Sequence, residues 1–219
     1  MAARTSARTA RAERADATRR RIVAAAAPLF VELGYLDTTM SALARTAGVA
    51  VQTLYLSFGG KAAVLEAVLA ADPGNQPSGC DLRAEPTGPA AVLAHVDATT
   101  AVVARTYPLA AVLRAAAADP DPADLLDRAR RATLAAHARA VDELAERPGF
   151  TARMSLQRAT ETMTALLSPE TYGLLVVAQG WTVPDWSEWA ARHLMLDLFP
   201  DAAPPDPRGC RGEQAHSLP

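Results

Sequence analysis

Three sets of residues in this 219-residue chain could in principle carry chemistry, and each lacks something it needs. Phe58-Gly59-Gly60-Lys61 reads like the end of a phosphate-cradling loop. The first glycine of such a loop would fall at Tyr55, however, and Ala62 stands where a Ser or Thr hydroxyl must hold Mg²⁺. Cys80 and Cys210 have no partners at any zinc-ligand spacing. His95, His137, His193 and His216 form no local cluster, and neither His-Glu-x-x-His nor Gly-x-Ser-x-Gly occurs. The expectation is a chain with no enzyme active site, no metal and no cofactor. What its side chains are left to do is recognition.

Recognition needs an element that presents side chains, and one is legible between Thr39 and Lys61. Where two helices cross at a tight turn, the first needs a small residue for close backbone approach. The turn needs a glycine free to take positive φ, and the second helix needs an apolar residue pointing back at the first. Ala44, Gly48 and Leu54 meet these demands at the right spacing, which predicts a helix-turn-helix. The Thr39 hydroxyl can cap the free amides of the first of these helices, which carries Met40, Leu43 and Ala44 on its buried face. The second, roughly Val51 to Phe58, would be the recognition helix. On it the Gln52 amide can pair with adenine in a major groove, and Val51 or Leu56 can meet a thymine methyl. Lys61 is the single lysine beside 21 arginines, and its compact ammonium suits a phosphate, although chance retention explains one residue equally well.

The stretch from Thr18 to Leu69 resembles the DNA-binding domain of the TetR family of bacterial regulators. The resemblance rests on three phrases: Phe30, Glu32, Gly34, Tyr35, Thr38 and Thr39; then Leu43, Ala44, Ala47, Gly48 and Val49; then Thr53, Leu54, Tyr55, Phe58 and Lys61. It implies that Thr39, Thr53 and Tyr55 contact phosphate, the last two sometimes base edges, and that Lys61 opens helix four facing the DNA backbone. Three departures fall on the reading head. Ala50 stands where relatives commonly have a serine cap, Val51-Gln52 replace a polar-glycine pair, and Leu56 replaces Tyr or His. The base sequence read is therefore not predictable.

Composition agrees with a helical protein. Half of the residues are hydrophobic, and Ala and Leu dominate over β-branched and aromatic types. Each apolar run is interrupted before it could span a bilayer, no secretory signal is recognisable, and the two cysteines fall outside the helical pattern, so a cytoplasmic protein is expected. Charge is unevenly placed: nine basic residues against four acidic through Lys61, and thirteen against twenty beyond it. That suits a head that meets phosphate and a body that does not.

The expected organisation is all-α. Residues 1–17 form a disordered Arg-rich arm, either a solubilising tail or an arm that follows DNA. Residues 18–61 form a three-helix helix-turn-helix DNA-binding domain, and 62–199 a larger helical ligand-binding and dimerisation domain. Residues 200–219 form a disordered tail. Helix one should run from Thr18 to Leu33 with Ile22, Ala26, Leu29, Phe30 and Leu33 buried. Gly34 should end it in the left-handed conformation, and Pro28 should kink or unwind it around Ala24. Helix four runs through Ala71, and a long loop follows to Pro89. Helix five then spans Ala90 to Tyr107, helix six begins at Pro108 and ends near Asp119, and helix seven runs from Pro122 to Arg147. The buried stripe of helix seven is Leu125, Ala129, Thr133, Ala136, His137, Ala140 and Leu144.

A second resemblance to the same family covers Leu166 to Trp181 with Trp186 and Trp189. It implies that Thr151–Leu167 and Pro184–Phe199 pair with their copies in a homodimer. Trp186, Trp189, His193, Leu196 and Phe199 share a face there, and exposed on a monomer it would mark an interface. The resemblance also implies a small-molecule effector cavity within helices four to eight, and the Ala, Val, Leu and Thr of helices five to seven leave room for a mostly apolar one. His95, Thr99, Tyr107 and His137, with Arg114, are the polar residues nearest those faces, where such residues are more often structural than ligand contacts. The implied function is a regulator of transcription that binds double-stranded DNA. It would be a repressor released from a palindromic operator by a small, largely apolar effector, with no membrane partner. The alternative is a helical ligand- or protein-binding module whose head has lost sequence-specific DNA binding.

Overall fold

The computed structural model describes residues 2–71 and 81–202, with side chains from residue 12 onward. Cys80, Cys210, His216, most of the loop expected after Ala71 and residues 203–219 of the expected tail lie outside these residues. Every regular element described is a helix: α1 (Ala2–Asp37), α2 (Met40–Ala47), α3 (Val51–Phe58), α4 (Lys61–Ala71), α5 (Gly88–Ala115), α6 (Pro120–Ala145), α7 (Leu156–Leu166), α8 (Pro169–Tyr172) and α9 (Val183–Leu198). A 3-10 turn at Leu82–Ala84 precedes α5, and a π-helical turn at Gly173–Ala178 follows α8. No single helix among them is long and apolar enough to cross a membrane.

Helix α1 departs from expectation at both ends. It begins at Ala2, so the backbone of the arm is helical rather than disordered. Alanine and arginine are strong helix formers, and no glycine or proline interrupts the run before Pro28. Pro28 does not unwind the helix. The one non-helical residue inside α1 is Gly34, at φ 75° and ψ 175°, a conformation that side-chain-bearing residues avoid. Pro28 and Ala24 both face solvent, so the carbonyl that lost its amide partner can bind water. Ile22, Ala26 and Phe30 are buried as the period requires, but Leu33 is 43% exposed because the core-facing stripe ends one turn earlier. Beyond Gly34 the chain turns back. Tyr35 stacks on Phe30 at 6.1 Å, and the Thr38 hydroxyl donates to the Gly34 carbonyl at 2.6 Å.

The expected helices five and six are one helix, α5, which carries Pro108 in its interior. Pro108 is exposed, so again a single missing hydrogen bond falls on the solvent side. Thr106, two residues earlier, donates its hydroxyl to the Val102 carbonyl at 2.9 Å. The long helix expected from Thr151 is also shorter: α7 starts at Leu156, where the Ser155 side chain caps it by accepting from the Arg158 amide at 3.2 Å.

Two apolar clusters hold these helices. The first joins Ile22, Phe30, Leu43, Leu54 and Leu65 of the N-terminal helices to Val112 and Leu113 of α5 and Leu125 of α6. The second joins Val92 and Val96 at the start of α5 to Leu144 near the end of α6, Met163 of α7, and Leu194 and Leu198 of α9. Helices α5 and α6 therefore reach from one cluster to the other. Along their middles alanines stand in place of larger side chains, which leaves space between the helices.

Candidate nucleic-acid interface and ligand cavity

The geometry of the head follows from its caps. Thr39 stands at the N-cap of α2, extended at φ -103° and ψ 154°, and its side-chain oxygen accepts from the Ala42 amide at 3.1 Å. Gly48 closes α2 in the left-handed conformation (φ 63°, ψ 41°), and Val49 N–H donates back to the Ala44 carbonyl at 3.0 Å. That turn directs α3 across α2, with Ala44 and Leu54, both at most 1% exposed, at the crossing. Ala50 occupies the N-cap of α3 and offers no side-chain hydrogen bond, as its missing hydroxyl requires.

With Leu54 and Phe58 turned inward, α3 presents Val51, Gln52, Tyr55 and Leu56 to solvent. Leu56 is 89% exposed, the most exposed of the large apolar side chains among the described residues. An apolar side chain set in water on a helix beside an amide and a phenol is the pattern of a surface that is covered by a partner. Thr53 is half-buried on the flank, and its carbonyl accepts from the Ser57 hydroxyl at 2.8 Å. Lys61 reaches back to the end of α1: Nζ donates to the Tyr35 carbonyl at 2.6 Å and to Leu36 O at 3.3 Å, and lies 4.2 Å from the centre of the Tyr35 ring. Burial lowers its pKa, against the opposing pull of Asp119 and Asp37. Arg19 does the same for α3, donating to the Ser57 carbonyl at 2.8 Å with its guanidinium 4.1 Å over the Phe58 ring. No spacing in the sequence signalled that contact, since the partners are 38 residues apart.

Of the five residues expected on the interface face, Trp186 is a correction. It is fully buried within its own chain, where its indole N–H donates to the Leu166 carbonyl at 3.1 Å and its ring meets Tyr172 edge-on at 5.3 Å. Phe199 is buried too, edge-on to Phe150 at 5.7 Å. Trp189, His193 and Leu196 remain on the outer side of α9. Trp189 is half-buried between Trp181 and His193, and Leu196 is 62% exposed.

The space between α5 and α6 is a cavity of ≈ 460 Å³, closed at one end by α7 and α8. His95, Thr99 and His137 line it, as the sequence suggested. Tyr107 does not. It lies outside the lining, its ring tilted against Tyr172 at 4.7 Å, with its hydroxyl 2.7 Å from where a Cβ on Gly173 would stand. Ala129 and Thr133, expected on the buried stripe of α6, are instead open to the cavity.

His95 and His137 meet edge-on at 5.5 Å. Thr164 gives its hydroxyl proton to the Thr160 carbonyl at 2.8 Å, so its oxygen can only accept from His137 Nδ1 at 3.0 Å, which leaves His137 Nε2 as an acceptor. Desolvation lowers both imidazole pKa values from 6.5 to about 4, so both rings are neutral at pH 7. At the α8 side of the cavity, Arg114 and Arg130 converge on one oxygen of Glu170, at 3.5 and 3.3 Å. Thr164 and Glu170 were not anticipated, because they lie on elements far along the chain from the helices they face. Among the described residues no group of three or more His, Cys, Asp or Glu could hold a metal ion.

A helix-turn-helix that displays one face of its second helix is the arrangement that can set side chains into a major groove. Residues 22–68 match the sequence profile of bacterial regulatory proteins, tetR family. A stretch of 59 residues is 48% identical to the HTH-type transcriptional regulator SrpR of Pseudomonas putida; it covers 27% of this chain and 28% of SrpR's own length. The fold is similar to that of FadR from Bacillus subtilis, solved in complex with stearoyl-CoA (TM-score 0.67, 18% identity, 81% of this chain and 98% of that one). It is also similar to that of NalD, the secondary repressor of the MexAB-OprM multidrug efflux pump in Pseudomonas aeruginosa (TM-score 0.62, 19% identity, 86% and 100%). The head thus carries the sequence pattern of the tetR family of bacterial regulatory proteins, and the chain as a whole shares the fold of FadR and NalD.

Proposed function

We propose that this regulator is a homodimeric repressor that leaves a palindromic operator when a small, largely apolar effector enters the cavity between α5 and α6. The observation that carries the reading is the exposed face of α3, with Leu56 in water beside Gln52 and Tyr55. Gln52 and Leu56 suit base edges. Thr39, Thr53, Tyr55 and Lys61 are assigned to phosphates and to holding the head in register, and Val51 to a thymine methyl. A dimer would set two heads into successive major grooves about one helical turn apart. Trp189, His193 and Leu196 are assigned to the interface between copies.

FadR, whose fold is similar, was solved with stearoyl-CoA. That supports a ligand role for a body of this architecture, and the neutral histidines and alanine-rich wall support an apolar ligand here. An effector that prefers the released state by about 1–3 kcal/mol is enough to change operator affinity severalfold to a hundredfold. The test is the salt dependence of DNA binding. Because phosphate contacts displace counterions, affinity for duplex DNA should fall steeply between roughly 50 and 200 mM salt. Equal affinity for every duplex at one salt concentration would favour the degenerate-head reading, for which the uncapped Ala50 is the specific support.

A further inference from the structure

The polar groups around the cavity differ from one region to another, and the difference bears on what enters. The charged side chains of its lining are Arg114, Arg130, Arg139 and Glu170. Arg114 and Arg130 share a single Glu170 oxygen, Arg139 has no acidic partner among the described residues, and Arg114 Nε is buried without any hydrogen-bond acceptor. An excess of guanidinium with an unmet buried donor is unfavourable until a second anion arrives. Elsewhere the lining is mostly apolar, with Val102, Leu109, Leu113, Leu126 and Leu167 facing the space among uncharged threonines. The two histidines add no charge there. We infer that the cavity takes an anionic amphiphile, whose acid group is held by Arg114 and Arg130 beside Glu170 and whose apolar body lies along α5 and α6. This rests on the proposal that the cavity is the effector site, and it narrows that site to acids.

Helix α8, which carries Glu170, is the link such a ligand would move. An incoming carboxylate, sulfonate or phosphate would compete with Glu170 for Arg114 on α5 and Arg130 on α6, loosening or repositioning α8 against both. The two arginines differ in exposure, Arg114 at 33% and Arg130 at 57% of the side chain, so Arg114 is the deeper anchor and Arg130 the gate at the rim.

The probes that separate this from a merely apolar pocket are 1-anilinonaphthalene-8-sulfonate and N-phenyl-1-naphthylamine, which share a framework and differ by the sulfonate. Fluorescence titration of the full chain should show the sulfonate binding about tenfold more tightly, equivalent to about 1.4 kcal/mol. An Arg114→Gln, Arg130→Gln variant should bring the two affinities together while leaving that of the neutral probe unchanged. If the double variant fails to fold cooperatively, Arg130→Gln alone, at the exposed rim, should still narrow the gap. Ala136→Phe, which fills the cavity from α6, should weaken both probes. Equal binding of the two probes, both blocked by Ala136→Phe, would overturn the acid preference and leave the cavity reading intact. Binding that Ala136→Phe does not weaken would overturn the cavity reading itself.

Discussion

Lys61 joins the two ends of the head. Its ammonium meets two carbonyls at the end of α1 and the face of Tyr35, while its backbone opens α4. A cation on terminal carbonyls contributes roughly 0.3–1 kcal/mol, more where partly buried. Lys61→Ala should therefore lower the melting temperature by a few degrees and weaken binding to all duplexes alike, because what it loses is placement of the head. A change of base preference at one position, in the same binding assay, would contradict this. Gly48 makes a different demand. A Cβ there would meet nothing within 4 Å, so any cost of Gly48→Ala comes from φ 63° alone. That cost is roughly 1–2 kcal/mol for an L-residue in the left-handed region, and thermal unfolding should show it as a loss of a few degrees. An unchanged melting temperature would mean that the turn relaxes to another conformation. Gly48, the Thr39 cap and the uncapped Ala50 were legible in the sequence because each acts within a few residues of itself. The partners of Lys61 lie 25 and 26 residues back, beyond the reach of any local pattern.

Among the elements, the short helices of the head agreed with their sequence signals nearly residue for residue, because caps and glycines bound them. The long helices did not. Pro28 and Pro108 read as breaks, yet each faces water and removes one hydrogen bond from a helix that packing holds on its other side. The stripe on α9 misled for a related reason. Trp186, Trp189, His193 and Leu196 follow one helical face, but that face turns from core to solvent along its length, and the indole at its start is buried against Tyr172 with the Leu166 carbonyl, 20 residues earlier, as its acceptor. The pairing of α5 with α6 makes a prediction about pH. His95 and His137 fold with pKa values of about 4 instead of 6.5. Between those values the unfolded chain binds protons that the folded chain refuses, so stability falls as pH drops from 6.5 towards 4 and is independent of these rings above that range. Each unit of depression is worth about 1.4 kcal/mol. Denaturant unfolding at pH 7, 6 and 5 should show a shallower decline for His137→Gln than for the parent chain. Parallel declines would mean that His137 is solvated rather than enclosed.

At the level of the whole molecule, head and body are not separable units of packing. The first apolar cluster runs from Ile22 through Leu65 into Val112, Leu113 and Leu125, and Arg128 of α6 reaches Glu66 of α4 at 2.9 Å. The same two helices that line the cavity thus touch α4, which would give the proposed effector a short physical route to the face of α3. This continuity was not legible in the sequence, where the change of charge after Lys61 suggested a boundary. In the proposed dimer, Leu196→Glu would place a charge on an apolar face without disturbing the core, since the side chain is already 62% exposed. Light scattering should then report half the parent mass with the helical circular dichroism unchanged. A mass equal to the parent's would remove Leu196 from the interface.

In the proposed dimer the face of α3 reads DNA sequence as one half of a symmetric pair. The most direct test of this is selection of bound duplexes from a random pool at near-physiological salt, followed by sequencing. An enriched inverted repeat whose half-site centres lie about one helical turn apart is expected. Binding that enriches no sequence, or a single unrepeated half-site, would contradict it.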